Sequence, residues 1–279
     1  MSRRNVKMYK SDVPPIWCPG CGDYAVLNGL MRAFVTLDIA PKDAVVASGI
    51  GCSSRFPAFL NAYGFHGVHG RALPLSTGIK IGNPNLTVVA VGGDGDGFSI
   101  GGGHIPHAAR RNIELPYIVM DNNIYGMTKG QPSPTTPVGT QRKASPYGTI
   151  EAPLNPLMML LSYDATFVAR VFSGDFKRLQ AVFEAALQHP GFAFVQVLSP
   201  CVTFRNTYQH YKDITEPLPD DHDPTDLMAA MRLAQSVDPL YLGIFRQETS
   251  RQGYCAGVAE IQEQAPEAKV TELLDQYVR

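Results

Sequence analysis

The chain has 279 residues, 44% of them hydrophobic, and its formal net charge at pH 7 is −1. This length is sufficient for a full hydrophobic core, and the near-zero charge argues against a surface that binds nucleic acid through phosphate attraction. No apolar run approaches the length that spans a membrane.

The N-terminal residues 1–8 are basic but have no apolar stretch behind them. We therefore expect neither a secretory signal nor a membrane anchor. The five cysteines are an odd number, which is typical of a reducing compartment where thiols bind metals or stay free. We expect a cytoplasmic protein.

Trp-Cys-Pro-Gly-Cys-Gly at residues 17–22 precedes a helix predicted over Asp23–Phe34, so Cys21 lies at a helix N-terminus, where thiolates are stabilised. A Cys-x-x-Cys pair in this position forms either a redox disulfide or half of a metal site. The metal site is favoured because Cys52 and Cys201 follow Gly-Ile-Gly and Ser-Pro, which are backbone contexts suited to ligation. Zinc is an alternative on ligand identity, but the scattered third and fourth cysteines resemble a buried cluster more than a zinc ribbon.

A short strand is predicted over Ala44–Ser48, and the chain turns sharply after it through residues 49–54. Arg55 follows this turn and either holds a carboxylate or phosphate bidentately or solvates a loop. His69, in a His-Gly-Arg sequence, is a further candidate for the ligand-binding edge.

The central stretch of the chain is predicted to be one β-α-β unit. Right-handed crossover makes its two strands parallel, so Asp94 and Asn122 both follow a strand at the same edge of the sheet. The successive parts are a strand over Leu86–Val91, glycine-rich residues 92–97, a helix over Ile100–Asn112, a strand over Leu115–Met120 and Asp-Asn-Asn at 121–123.

This edge offers the ligands of a diphosphate that is bound through a hard divalent cation. Asp94 supplies a carboxylate, Asn122 a side-chain carbonyl and Ile124 a backbone carbonyl, all oxygens that Mg²⁺ accepts. The glycines let backbone amides approach phosphates, and the helix predicted to start near Ser99 would favour the same anion. An isolated Gly-Asp-Gly is usually a turn, but this spacing is similar to the thiamine diphosphate signature.

The remaining segments add two candidates. A polar loop rich in Pro and Gly runs from residue 125 to about 145 and contains Lys129, which either neutralises a substrate carboxylate or lies in solvent. A helix over Gly174–Gln188 and a strand over Gly191–Leu198 lead to Cys201. After residue 216 we expect a polar helical tail through Arg279 without a site, and Cys255 as a spare thiol.

Six motifs in this order and spacing resemble the β subunit of 2-oxoacid:ferredoxin oxidoreductases, and most closely the 2-oxoglutarate type. The resemblance spans residues 17 to about 204. It implies an α/β, parallel-sheet thiamine diphosphate-binding fold with helices on both faces. Residues 1–215 would form the cofactor-binding domain, and 216–279 an extension that packs on it or on a partner. The motifs are residues 17–22, 49–55, 69–71, 93–97, 110–112 and 125–131.

The resemblance also implies the site residues. Arg55 and Lys129 are expected to be catalytic cations that face substrate or cofactor. A [4Fe–4S] cluster would be held by Cys18, Cys21, Cys52 and Cys201. Magnesium would be held by Asp94, Asn122 and the Ile124 carbonyl. Thiamine diphosphate would contact Ile50, Gly51, Cys52, Ser53, His69, Gly93, Gly95, Asp96, Gly126, Met127 and Thr128.

The implied activity is coenzyme A-dependent oxidative decarboxylation of a 2-oxoacid, with 2-oxoglutarate favoured, and electron transfer through the cluster to ferredoxin, or the reverse reaction. The sequence contains no second, pyrimidine-binding domain, so we expect an α subunit to supply the activating carboxylate in a dimer of heterodimers. Two alternatives are a non-redox thiamine diphosphate decarboxylase subunit, which does not need four cysteines, and a zinc-stabilised nucleotide-binding scaffold without catalysis.

Overall fold

The structure, a computed structural model, describes residues 4–264 and 269–278. Residues 1–3 of the basic N-terminus, and residues 265–268 and 279 of the predicted tail, lie outside the described residues. Within the described ranges, no helix is both long enough and apolar enough to cross a membrane.

An eight-stranded sheet forms the centre of the fold, with strand order β2-β1-β3-β4-β8-β7-β10-β9. Every neighbouring pair is parallel except β10 with β7. Two further short strands, β5 and β6, form a separate antiparallel pair. The strands are β1 Ala44–Ser48, β2 Tyr63–His66, β3 Thr87–Gly93, β4 Leu115–Asp121, β5 Ile124–Tyr125, β6 Gln131–Pro132, β7 Phe167–Phe172, β8 Phe192–Leu198, β9 Thr215–Pro217 and β10 Leu240–Gln247.

Ten α-helices accompany the strands in the described part of the chain: α1 Asp23–Thr36, α2 Ala72–Gly82, α3 Asp94–Phe98, α4 Ile105–Arg111, α5 Pro156–Ser162, α6 Phe176–Gln188, α7 Tyr208–Ile214, α8 Leu227–Ala234, α9 Tyr254–Gln264 and α10 Val270–Asp275. Short 3₁₀ helices lie at Val6–Tyr9, Pro41–Asp43, Ser53–Phe59 and Gly102–His104.

Both faces of the sheet are buried, which explains why its central strands are continuous apolar runs rather than alternating ones. Val46 and Val89 face a core that includes residues of α1 and α6. Val45 and Val88, one position earlier in each strand, face a second core built with α2, α4, α5 and α8. The predicted parallel α/β sheet with helices on both faces is confirmed.

The strand register places several strand ends together. Ser48 at the end of β1 lies opposite Val91 of β3, and Asp121 at the end of β4 lies opposite Leu198 of β8. Because β1, β3, β4 and β8 are parallel neighbours in this part of the sheet, their carboxyl ends share one edge. The segments that carry Cys52, Asp94, Asn122 and Cys201 therefore start from the same edge.

The predicted helix over Ile100–Asn112 is wrong in its first half. Helix α3 already begins at Asp94, after Gly93 in an extended conformation, and it ends at Phe98. Ser99 has ψ −108° and does not start a helix. The glycines at 101–103 interrupt the helix because glycine loses the most conformational freedom, and α4 begins only at Ile105.

The predicted helical tail is also wrong in one part. Strand β10, Leu240–Gln247, adds to the central sheet antiparallel to β7, and β9 pairs with its other edge. The apolar and aromatic run from Leu240 to Phe245 favours a strand. The segment after residue 216 is polar on average, and for this reason the short apolar run was not predicted to be a strand.

A buried histidine supports the end of the sheet opposite the shared edge. His189 is 7% exposed, and its Nε2 lies 2.7 Å from the hydroxyl of Thr166, which donates to Asn112 Oδ1 at 2.6 Å. Burial lowers the pKa of His189 to about 4, although the charge of Glu248 opposes this shift. The unfolded chain, with a histidine pKa of about 6.5, binds this proton at higher pH than the folded chain does.

We therefore expect stability to fall as the pH decreases from about 6.5 to about 4, because the unfolded state then binds more protons than the folded state. The shift corresponds to at most roughly 3–4 kcal/mol. In urea unfolding, His189→Gln should reduce this pH dependence by up to one proton, whereas His210→Gln, at an exposed position, should leave it unchanged. An identical pH slope in His189→Gln would contradict the assignment.

Candidate active site

A cavity lies at the carboxyl ends of β1, β3 and β4. All fourteen residues predicted from the sequence to bind the thiamine cofactor or its Mg²⁺ lie in its lining, and the one further lining residue, Tyr125, was missed. The contact of each with a bound cofactor stays a prediction. The lining consists of Ile50, Gly51, Cys52, Ser53, His69, Gly93, Asp94, Gly95, Asp96, Asn122, Ile124, Tyr125, Gly126, Met127 and Thr128.

The carboxylate of Asp94 is buried, and only one of its two oxygens accepts short hydrogen bonds. Its Oδ2 accepts hydrogen bonds from Ser133 Oγ at 2.5 Å and from Thr135 Oγ1 at 2.9 Å. Its Oδ1 has only a long contact, 3.5 Å, with the amide of Asn122. Burial raises the pKa of Asp94, and the nearby Asp121 raises it further. A cation at Oδ1 would offset this buried negative charge.

The other predicted magnesium ligands lie in the same cavity. Asn122 Oδ1 accepts from the amide of Ile124 at 3.0 Å, so the side chain of Asn122 is ordered by the turn that carries Ile124. A carboxylate, an amide oxygen and a backbone carbonyl are hard donors that leave positions for phosphate and water. The residues present therefore fit Mg²⁺ bound together with a diphosphate.

Asp96 in α3 joins two loops at the edge of the cavity. Its Oδ1 accepts from the amides of Ile50 at 2.9 Å and Gly70 at 2.8 Å, and it lies 2.7 Å from Nδ1 of His69. A side chain at Gly49 would overlap the Asp96 carboxylate. Glycine is therefore required at position 49 for the β1 loop to approach Asp96.

A second cavity, lined by thiols, adjoins the first. The two cavities share Cys52, Asn122, Gly126 and Met127. A Cβ atom on Gly126 would lie 3.7 Å from Cys52 Sγ and 3.9 Å from Cys201 Sγ. The lining of this second cavity is Ile16, Trp17, Cys18, Cys21, Asp23, Cys52, Arg55, Asn122, Gly126, Met127, Cys201, Val202 and Phe204.

All five cysteines are free thiols. Burial raises the pKa of Cys21 strongly and that of Cys52 to about 11, and Asp23 adds to both shifts. The start of α1 acts in the expected direction, since the backbone amide of Asp23 lowers the pKa of Cys21, but burial outweighs this effect. A bound metal centre would oppose this effect of burial and favour the thiolate form of these sulfurs.

Four sulfur donors that converge on one cavity suit an iron–sulfur cluster. Within the described residues, no group of three or more His, Cys, Asp or Glu side chains could hold a metal ion.

Asp23 is a site residue that the sequence analysis missed. It is 3% exposed and lines the thiol cavity. Its Oδ1 accepts from Ser199 Oγ at 2.7 Å, and burial raises its pKa to about 6. Its position directly after the Cys-x-x-Cys-Gly sequence was the available signal.

The two predicted catalytic cations occupy different places. Arg55 is partly buried and lines the thiol cavity, not the cofactor cavity. Lys129 is exposed at a turn with φ 81°, next to the cofactor-cavity residue Thr128, and lines neither cavity. Their catalytic roles stay predictions. Cys255 lies elsewhere, in α9 near Lys80.

The overlap at Gly49 gives a stability prediction. Gly49→Ala should displace Asp96 and destabilise the fold by about 1–3 kcal/mol, the usual cost of overpacking. Gly78→Ala is the matched control: a Cβ there meets nothing within 4 Å, and alanine should stabilise helix α2 by roughly 0.5–1 kcal/mol. Urea unfolding of both variants tests this, and equal stability of Gly49→Ala and wild type would contradict it.

Comparison with known proteins agrees with this geometry. Residues 49–197 match the family model of the thiamine pyrophosphate enzyme C-terminal TPP binding domain. Residues 201–263 match the family model of the C-terminal region of the pyruvate ferredoxin oxidoreductase β subunit. These matches confirm a thiamine diphosphate-binding domain.

The chain is 42% identical to the β subunit of 2-oxoacid:ferredoxin oxidoreductase 1 from Aeropyrum pernix, over 79% of this chain and 70% of that one. It is 46% identical to the 2-oxoglutarate oxidoreductase subunit KorB of Mycobacterium tuberculosis, over 72% of this chain but only 54% of that one. It is also similar to a solved structure of 2-oxoglutarate:ferredoxin oxidoreductase from Magnetococcus marinus, with 2-oxoglutarate, coenzyme A and succinyl-CoA bound. The TM-score is 0.95 and the identity 43%, over 100% of this chain and 97% of that one. This chain belongs to the family of 2-oxoacid:ferredoxin oxidoreductase β subunits.

Proposed function

We propose that the chain carries out the coenzyme A-dependent oxidative decarboxylation of a 2-oxoacid, with 2-oxoglutarate as the favoured substrate. 2-Oxoglutarate, coenzyme A and two oxidised ferredoxins would give succinyl-CoA, CO₂, a proton and two reduced ferredoxins, or the reverse. The observation that carries the proposal is the boundary shared by the cofactor cavity and the thiol cavity.

That boundary is what a redox thiamine enzyme requires. Cys52 and Gly126 line both cavities, so an electron acceptor held by Cys52 would directly adjoin the cofactor. Thiamine diphosphate supplies the electron sink for decarboxylation, and a [4Fe–4S] cluster supplies one-electron acceptance. A non-redox decarboxylase has no need of four thiols at this position, so the shared boundary favours the oxidoreductase.

The chain's own residues would hold these groups as follows. Asp94, Asn122 and the Ile124 carbonyl would bind Mg²⁺ and through it the diphosphate, while glycine amides approach the phosphates. The cluster would be held by Cys18, Cys21, Cys52 and Cys201.

The substrate assignment rests on the charge of the substrate and on the names of related proteins. A dicarboxylate needs a cation for its distal carboxylate, and Arg55 in the thiol cavity and Lys129 beside Thr128 are the candidates. Relatives named for 2-oxoglutarate, such as the KorB protein of Methanocaldococcus jannaschii, are 44% identical to this chain over 71% of its length.

The proposed site also needs a partner protein. Of the carboxylates that line the cofactor cavity, Asp94 is assigned to the cation and Asp96 is bound by backbone amides. The amides bind Oδ1 of Asp96, and its Oδ2 is buried without a hydrogen-bond partner in the described residues. We assign neither carboxylate to activation of the cofactor's aminopyrimidine. We propose that an α subunit supplies this carboxylate, in a cytoplasmic dimer of heterodimers that reduces ferredoxin.

The cluster assignment predicts which cysteines are needed. Alanine at Cys18, Cys21, Cys52 or Cys201 should lower iron content and abolish 2-oxoacid-dependent reduction of a viologen dye by the complex. Cys255→Ala, the matched control outside both cavities, should keep both. Full iron content in Cys201→Ala would exclude it as a ligand, and zinc in place of iron in the wild type would favour the scaffold alternative.

Substrate choice is tested by Arg55→Met and Lys129→Met, with the exposed Lys143→Met as control. A charge-assisted contact is worth about 1.5–3 kcal/mol, or roughly ten- to hundredfold in kcat/KM. If the replaced residue binds the distal carboxylate, kcat/KM should fall by this factor with 2-oxoglutarate and by much less with pyruvate. An equal fall in kcat/KM with both substrates would indicate that the residue binds the shared 1-carboxylate or the cofactor. No fall with either substrate would indicate a surface residue without a role in the reaction.

A further inference from the structure

A chain of buried polar side chains crosses the sheet to Asp94. It runs from Arg170 on β7 through Gln196 on β8, Asp121 on β4 and Thr135 to Asp94. We call these five residues the buried polar chain. Each is at most 5% exposed. Arg170 Nε donates to Gln196 Oε1 at 2.8 Å, and Gln196 Nε2 donates to Asp121 Oδ2 at 2.7 Å. Thr135 Oγ1 lies 2.8 Å from Asp121 Oδ1 and 2.9 Å from Asp94 Oδ2.

Asp121 also controls the turn that carries the other proposed cation ligands. Its Oδ1 accepts from the backbone amide of Asn123 at 3.1 Å and from its side-chain amide at 2.9 Å. Asn123 has φ 59°, a left-handed conformation that a local hydrogen bond of this kind stabilises. Asn122 and Ile124 lie on either side of it, so one carboxylate fixes both parts of the proposed magnesium site.

The far end of the buried polar chain is supplied by the C-terminal segment. The Arg170 guanidinium lies 5.6 Å from the centre of the Phe245 ring on β10, and its Nη1 lies 3.5 Å from the Tyr241 carbonyl. Strand β10 therefore covers the cation that faces Asp121 through Gln196. This gives residues 240–247 a connection to the cofactor site.

We propose that Thr135 and Asp121 are positioning residues that hold the cation-binding oxygens in place, and that Arg170, covered by β10, is the counter-ion of Asp121. The inference rests on the proposed magnesium and thiamine diphosphate site. Removing a side chain that orients a metal ligand typically costs ten- to hundredfold in metal affinity.

The test uses Thr135→Val in the full chain purified with its partner subunit. Mn²⁺ is the probe, titrated in the presence of thiamine diphosphate, and free Mn²⁺ is measured by electron paramagnetic resonance. We expect Mn²⁺ binding to weaken by about ten- to hundredfold, and the KM for Mg²⁺ to rise while kcat at saturating Mg²⁺ changes little. Binding as tight as in the wild type would overturn the inference.

Thr166→Val is the matched control, because it removes an equally buried hydroxyl just before β7 and outside the site, where Thr166 donates to Asn112. It should lower the melting temperature and leave Mn²⁺ binding unchanged. A wild-type complex that binds neither Mn²⁺ nor thiamine diphosphate would instead overturn the proposed cofactor, and this inference with it. The two failures are therefore distinguishable.

Arg170→Met separates positioning from simple charge. Loss of a positive charge alone tightens cation binding, whereas loss of an ordered Asp121 weakens it. We expect at least tenfold weaker Mn²⁺ binding, and tighter binding would overturn the role of Arg170. The control is Arg178→Met, which removes the same charge from a residue that also contacts β10, at the Leu242 carbonyl at 3.1 Å. If Arg170→Met fails to fold, Thr135→Val still decides.

Discussion

Parallel pairing of β1, β3, β4 and β8 is the constraint on which the site depends. Each of these strands ends at the same edge, and each is followed by a residue of the proposed site: Cys52, Asp94, Asn122 and Cys201. The chain travels between these ends through helices that cover both faces of the sheet. The strand order therefore brings residues that are far apart in sequence close together, and no local sequence motif is needed to join the loops that carry them. This is the usual location of ligand sites in open α/β sheets.

The parts of the site that the sequence predicted are those with a local signal. Strand β1 was predicted at its observed bounds, Ala44–Ser48, because it is a short β-branched apolar run before a glycine turn. Ser133 and Thr135 had no such signal. They lie in an irregular loop rich in proline, and their partner Asp94 is about 40 positions earlier. Ser and Thr in a loop normally bond locally, so only the fold reveals that these two hydroxyls hold a buried carboxylate.

The buried carboxylates explain why this edge favours a cation. Asp94 and Asp121 are both nearly inaccessible to solvent, and burial raises the pKa of each. The Thr135 hydroxyl lies within hydrogen-bonding distance of both, yet it has one proton and cannot donate to two carboxylates at once. Arg170 offsets the charge of Asp121 from the other side of Gln196. The charge of Asp94 has no comparable partner in the described residues, and a divalent cation would be the simplest group to balance it.

The same electrostatic argument gives the C-terminal segment a structural reason to belong to the sheet. A guanidinium removed from water is costly unless other groups replace its hydration. For Arg170 these groups are Gln196, the Tyr241 carbonyl and the Phe245 ring, and the last two lie on β10. No site motif is present in this strand, because its role requires only apolar and backbone atoms at the correct register. The site motifs in the sequence therefore end before this strand, although the residue that it covers connects to the cation-binding edge.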